Sequence, residues 1–245
     1  DQDVLDEDNE TVIVDIDSVG NGSESGVQQE STAITDDDAE PSVTLAVNNA
    51  TIAEAAGVAT FTATLDAVSG RDVTVNLSTS GTATGGGTDY TLSTTAIVIS
   101  AGILSNTATV TADQDVLDEV DETVIVDIAS VSNGSESGTQ QETTTILDDD
   151  AGPGVTLAVD NAAIAEAAGV ATFTATLDAV SAKDVTVNLV LSGTATGGGT
   201  DYTLSSTAIV ISAGILSNTA TVTADQDVLD EDNETVIVDI DSVSN

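Results

Sequence analysis

The chain has 245 residues and a formal net charge of −41 at pH 7, with 43 Asp+Glu against 2 Lys+Arg and no His or Cys. Arg71 and Lys183 cannot neutralise a phosphate backbone or hold an anionic lipid surface, so nucleic acid and membrane surfaces are excluded as partners. Missing Cys and His also exclude thiol and imidazole catalysis, zinc sites of the usual kind and disulfide staples, while 40% hydrophobic residues are too many for a disordered acidic tail.

Residues 1 to 21 read as an acidic loop followed by a strand, and Gly22-Ser-Glu-Ser-Gly26 as a turn cluster. Thr32-Ala-Ile-Thr35 is the next strand candidate and ends in Asp36-Asp-Asp38, after which Pro41 breaks the chain. About 38 residues with two strands cannot bury a core, so residues 1–38 read as the C-terminal part of a preceding repeat. The chain opens without Met and in the middle of a motif, as a window on a longer polypeptide would.

Residues 43–150 read as one complete repeat. Val43–Val47, Gly57–Leu65 and Asp72–Leu77 alternate Thr with Val, Leu or Phe, the period-two pattern of half-buried strands. Further strands are expected over Thr95–Ser100, Asn106–Thr111, Glu122–Ser130 and Thr139–Leu147. About seven strands, short turns and no helical periodicity predict an all-β, immunoglobulin-like sandwich of two antiparallel sheets. Residues 155–245 repeat this text nearly verbatim but stop before the last strand and its Asp triplet. No apolar run approaches the roughly 18 residues of a membrane span.

The acidic text recurs with a constant period, since Asp1, Asp113 and Asp225 each open a copy and lie 112 residues apart. Between Asp113 and Glu122, seven of ten residues are Asp, Glu or Gln. Glu54, Asp89, Asp113, Asp115, Glu119, Glu122 and Asp148-Asp-Asp150 all fall at loops or strand ends that strand counting places at one pole. Like charges about 4 Å apart repel by several kcal/mol at intermediate dielectric, so such a cluster requires an external cation. Hard oxygen donors at this density suit Ca²⁺ better than Mg²⁺, which demands strict octahedral geometry.

Other chemistries fail on the residues. Asp113-Gln-Asp-Val-Leu-Asp118 lacks the glycine and third oxygen ligand of a helix-loop-helix calcium loop, and no Lys follows the glycines of Gly85-Gly-Gly87 as a phosphate loop requires. Carboxylates alone could serve glycoside hydrolysis, but Phe61, Tyr90, Phe173 and Tyr202 are the only aromatic residues available to hold a sugar. No enzymatic activity is expected.

Three landmarks, Gly87-Thr-Asp-Tyr90, Asp115-Val-Leu-Asp-Glu-Val-Asp-Glu-Thr123 and Ile146-Leu-Asp-Asp-Asp150, make the repeat resemble a Calx-β domain. That calcium-binding sandwich occurs in sodium/calcium exchangers, integrin β4 and many large bacterial surface proteins. The resemblance implies side-chain ligands at Glu54, Asp89, Asp115, Glu119, Glu122, Asp148, Asp149 and Asp150, with the Leu117 carbonyl added. In the third repeat it implies Glu166, Asp201, Asp227, Glu231 and Glu234; in the first fragment, Asp3, Glu7, Glu10, Asp36, Asp37 and Asp38. Gln114 stands where exchanger-type members carry another acid. The implied role is a calcium-stiffened stalk or spacer of a giant bacterial extracellular adhesin or surface filament. Its partners would be neighbouring repeats or copies of itself. Two alternatives remain: a filament assembled by strand complementation between chains, and a calcium sensor, which near-identical tandem copies disfavour.

Overall fold

The computed structural model describes all residues except 1–3, 229 and 231. The described residues form strands β1 (Glu10–Asp15), β2 (Gln29–Ile34), β3 (Ser42–Val47), β4 (Thr51–Ala53), β5 (Val58–Leu65), β6 (Val73–Gly81), β7 (Tyr90–Leu92), β8 (Ala96–Ile99), β9 (Ser105–Ala112) and β10 (Glu122–Ser132). They continue with β11 (Ser135–Glu136), β12 (Gln141–Leu147), β13 (Val155–Val159), β14 (Val170–Leu177), β15 (Val185–Gly193), β16 (Tyr202–Leu204), β17 (Ala208–Ile211), β18 (Ser217–Ala224) and β19 (Val236–Ser244). The fold is all-β, as the alternation of Thr with aliphatic residues predicts.

Two compact units are present: residues 1–114 with 122–147, and residues 115–121 with 148–245. The first contains a sandwich of two five-stranded sheets, ordered β4-β12-β10-β6-β8 and β11-β3-β5-β9-β7. Every second residue points inward. On β5 these are Ala59, Phe61, Ala63 and Leu65, and they meet Val73 and Val75 of β6 and Val124, Val126 and Ile128 of β10. Phe61, fully buried, is the largest of them. Each of the seven strands expected between 43 and 150 has its counterpart. Three short ones, β4, β7 and β11, escape the sequence pattern because two or three residues carry no periodicity; their pairing is set by the sheets they join. The first unit also contains the separate two-stranded sheet β1-β2, with all residues exposed.

The second unit repeats the design with fewer strands, in sheets β13-β14-β18-β16 and β17-β15-β19. Its core gathers Ala175, Leu177, Val185, Val187, Ile209 and Ile211. Both β10 and β19 carry an irregularity at the same place: the register shifts between Ile128 and Ser130, and between Ile240 and Ser242. A bulge re-aims the strand beyond it and increases its twist.

Candidate metal centre

In the first unit, a tight turn after β4 presents Glu54. The amide of Gly57 donates to the Ala53 carbonyl at 3.0 Å, and Ala56 adopts a left-handed φ of 58°. A Cβ on Gly57 would stand 2.4 Å from the Ala53 oxygen, so glycine is required there. Glu54 is only 6% exposed, and its own amide donates to the Leu147 carbonyl at 3.1 Å, tying it to the end of β12. Asp89 closes the glycine-rich turn before β7, with its amide donating to the Thr84 carbonyl at 3.0 Å and its carboxylate accepting from the Thr84 amide. Its carbonyl accepts from the Asp113 amide at 3.0 Å, which joins that turn to the acidic loop. One carboxylate oxygen of Asp89 and one of Glu122, the first residue of β10, lie within 4.8 Å of each other.

The same unit contains the first acidic fragment. Asp36 takes its place after β2 by donating its amide to Asn9 Oδ1 at 2.8 Å, and its Oδ1 accepts from the Asp38 amide at 3.5 Å. Asp36 and Asp38 are half-buried and Asp37 is exposed; Glu7 is half-buried in the preceding loop, and Glu10 is exposed at the start of β1. Asp3 lies outside the described residues.

In the second unit, residues 115–121 and 148–150 form an acidic group of their own. Asp115 Oδ1 accepts from the Leu117 amide at 2.7 Å, an Asx turn that fixes the loop, in which Glu119 is half-buried. The Asp148 amide donates to Asp121 Oδ1 at 3.2 Å, and Asp148 Oδ1 accepts from the Asp150 amide at 3.4 Å. Asp149 is exposed between them. Carboxylate oxygens of Asp115 and Asp150 approach within 4.8 Å of each other. Oδ2 of Asp150 is sealed from solvent and has no hydrogen-bond partner among the described residues. Desolvation, followed by the charges of Asp148, Asp149, Asp115 and Asp118, pushes the Asp150 carboxyl above its ordinary value. A desolvated oxygen among carboxylates, with no donor to satisfy it, is the environment a hard cation relieves, and the donor set fits Ca²⁺.

Elsewhere in this unit, Glu166, Asp201, Asp225, Asp227, Asp232 and Glu234 line one cleft of ≈ 480 Å³, whose lining includes no Lys or Arg among the described residues. Oε1 of Glu166 accepts from the Asp227 amide and from Gln226 Nε2, both at 3.1 Å. The Asp201 carbonyl accepts from the Asp225 amide at 3.0 Å, as Asp89 does from Asp113. Glu231 lies outside the described residues. Asp225 and Asp232 join the acids expected from the sequence, and the signal for Asp225 is its place at the opening of the third acidic copy.

Asp118 was also overlooked as a separate case. It is 3% exposed, pairs with Lys183 and accepts from Ser181 Oγ at 2.6 Å. Burial alone would raise its pKa, but the bonds to Lys183, Ser181 and Asn245 outweigh that and hold it below the ordinary carboxylate range. In the first unit Asp6 is 1% exposed and meets Arg71 and Ser69 in the same way. The 112-residue spacing shared by Asp6 and Asp118, and by Arg71 and Lys183, was the signal that could have revealed both pairs.

No curated protein matches the chain. Among solved structures, the crystal structure of CBD12 from CALX1.2 is 18% identical, covers 74% of this chain and 75% of its own, and superposes with a TM-score of 0.39. The apo-form Calx CBD1 domain is 21% identical over 44% of this chain and 98% of its own, with a TM-score of 0.38. The calcium binding domain CBD12 of CALX1.1 gives 16%, 75%, 76% and 0.37 for the same quantities. The Calx-beta domain family model matches twice, over residues 36–151 and 148–245, well over half of the chain, and the chain belongs to the Calx-beta family.

Proposed function

We propose that this chain is a calcium-stiffened structural segment of a large extracellular protein, a spacer that carries other parts of the molecule away from a cell surface. Calx-β domains bind Ca²⁺, and two of them in tandem make this chain a calcium-binding module. The observation that carries the reading is the cleft in the second unit, where six carboxylates converge without a cationic side chain facing them. Glu166, Asp201, Asp227 and Glu234 would hold the ion there, with Asp225 and Asp232 beside them. Within the first unit, Glu54, Asp89 and Glu122 would serve as calcium ligands; within the second, Asp115, Glu119 and Asp148 to Asp150 form a separate acidic group that would do the same. Neutralising charge at these positions removes the self-repulsion that opposes a compact state at −41.

The core supports a structural role for the ion. Each repeat has one Phe and one Tyr, so its burial rests on small aliphatic side chains, and its margin over chain entropy is narrow. A ligand that binds only the folded state adds about 2.7 kcal/mol at a hundredfold excess over its dissociation constant. Extracellular calcium modules bind at about 10⁻⁴ to 10⁻³ M, so these repeats would be soft inside a cell and stiff outside it. No catalytic role is proposed for the carboxylates.

The test is a thermal melt of the full chain by circular dichroism in EDTA, in millimolar CaCl₂ and in NaCl of much higher ionic strength. Calcium should raise Tm well beyond the effect of NaCl. Equal stabilisation by NaCl would mean that the carboxylates need only screening, and the calcium reading would be abandoned.

A further inference from the structure

Both sandwiches have an open sheet edge in the same place. β8 pairs with β6 on one side and has no described strand on the other, and β17 stands likewise beside β15. Each edge lies inside its repeat, with strands of that repeat before and after it. In the antiparallel ladder the Leu77 amide donates to the Thr95 carbonyl at 2.8 Å and Val75 faces Ile97, so Ile97 turns its backbone groups toward β6 while Ala96 and Val98 turn theirs outward.

An edge of this composition is a template for another strand. Ala-Ile-Val-Ile has high β-propensity and no Pro, and the side chains of Val98 and Val210 are 41% and 42% exposed. Charge is the usual protection of such an edge. Here it is missing, in a chain of −41: no Asp, Glu, Lys or Arg occurs between Asp89 and Asp113, or between Asp201 and Asp225.

Side chains take the outward backbone groups instead. Thr94 Oγ1 donates to the Ala96 carbonyl at 2.8 Å and accepts from the Ala96 amide at 3.1 Å. Asn106, the second residue of β9, donates Nδ2 to the Val98 carbonyl at 2.8 Å, and its Oδ1 accepts from the Thr107 amide at 2.8 Å. Where β7 has ended, Ser93 Oγ accepts from the Thr109 amide at 2.8 Å. β7 and β8 belong to different sheets, so these three side chains close the corner at which the chain passes from one sheet to the other. The second repeat copies each bond: Ser206 with Ala208 at 2.6 and 3.1 Å, Asn218 with Val210 at 2.7 Å and with Thr219 at 2.8 Å, and Ser205 with Thr221 at 2.8 Å. Residues 90–112 and 202–224 differ at one position, Thr94 against Ser206, and that exchange keeps the hydroxyl.

We propose that Asn106 and Asn218, with the hydroxyls of Thr94 and Ser206, are edge guards that keep β8 and β17 closed to the matching edge of a second copy of this chain. Unguarded, Ala-Ile-Val-Ile of one copy would pair antiparallel with Ala-Ile-Val-Ile of the next, since both partners present the same edge. At physiological ionic strength charges are screened beyond about 8 Å, so across an uncharged edge the guard is what remains. This inference does not rest on the calcium reading above.

The experiment is sedimentation velocity of the full chain over a wide concentration range, in NaCl at physiological ionic strength. The parent is compared with Asn106→Ala/Asn218→Ala, and with that variant carrying Val98→Lys and Val210→Lys as well. The unguarded variant should associate at least tenfold more tightly than the parent, in species that grow with concentration because each chain has two such edges. The Lys substitutions should abolish the gain, charge replacing the lost hydrogen bonds. Circular dichroism checks that the sheets persist; if the Asn variant loses them, Thr94→Val/Ser206→Val makes the same comparison at the other end of the strand. A folded variant that associates no more strongly than the parent overturns the proposal, as does a gain that the Lys substitutions leave unchanged.

Discussion

Lys183 and Asp118 stand 65 residues apart in the chain and form an ion pair inside one compact unit, with Ser181 Oγ donating to the same carboxylate at 2.6 Å and Asp148 Oδ2 at 3.7 Å from the ammonium. Arg71 does the same for Asp6 in the other unit. Both cations of the chain are therefore committed to one kind of contact, each fastening a buried Asp of an acidic loop.

Replacing Lys183 with Met should leave Asp118 buried without a cation. Hydrogen bonds to charged groups contribute about 1.5–3 kcal/mol, so we expect a loss on the order of 2 kcal/mol from the second unit. Lys183→Arg should cost far less, because Arg71 already fills the equivalent place. Urea unfolding followed by circular dichroism gives both values; a Met variant as stable as the parent would show that the pair contributes nothing.

The same pair sets a pH window. The Asp118 carboxyl is held below 3.8, so its contribution is present above that value and fades as pH falls through the lower folded-state value. For Lys183 the bond to Asp118 outweighs burial and raises the ammonium above 10.5, so its contribution is complete below 10.5 and fades as pH rises through the folded-state value. The stability difference between the parent chain and Lys183→Met should be constant near neutrality and shrink below pH 3.8. A difference independent of pH would mean that lost packing, not charge, causes it.

Asp150 should behave in the opposite sense. Its raised carboxyl pKa means that the charged form opposes folding at neutral pH, an opposition relieved as pH falls. Asp150→Asn should therefore raise Tm in EDTA and reduce the further rise that calcium produces. A lower Tm in EDTA would show that the carboxylate is already satisfied without a metal.

Gly57→Ala would place a methyl group 2.4 Å from the Ala53 carbonyl oxygen, a backbone atom that cannot swing aside. Overpacking of this kind costs about 1–3 kcal/mol, and the turn that aims Glu54 would shift with it. We expect lower stability in urea together with weaker calcium binding by calorimetric titration. Gly102→Ala, whose Cβ would meet nothing within 4 Å but whose φ is +76°, separates left-handed strain from steric conflict.

Ile146 and Ile34 are the same residue at equivalent positions of two repeats, 5% and 52% exposed. Truncating a buried Ile to Ala costs about 2–5 kcal/mol, whereas the exposed one in a monomer should cost well under half of that. Equal effects on the dilute chain would imply that Ile34 is buried in solution.

The sheets were legible because Thr and Val alternate over long runs, and that pattern survives any error in strand ends. The short pairings were not, since β4 becomes a strand only where β12 lies beside it, and residues 163–165 carry nearly the same letters without doing so. Glu54, Asp89 and Asp115 could be singled out as acids at loop positions. Their hydrogen bonds depend on which turns face one another, which periodicity does not encode. Asp118 was hidden for a different reason: within Asp113 to Glu122 it is one acid among many, and only its partner, 65 residues away, distinguishes it.

The sequence Glu-Thr-Val-Ile-Val-Asp occurs three times in this chain, in β1, in β10 and leading into β19, and its second Val is 66% exposed as Val14, half-buried as Val238 and fully buried as Val126. One molecule thus sets the same six letters in three tertiary environments. Amide exchange at these three positions would compare tertiary environments with intrinsic chemistry held fixed. The slowing from Val14 to Val238 to Val126 would measure what each added neighbour contributes.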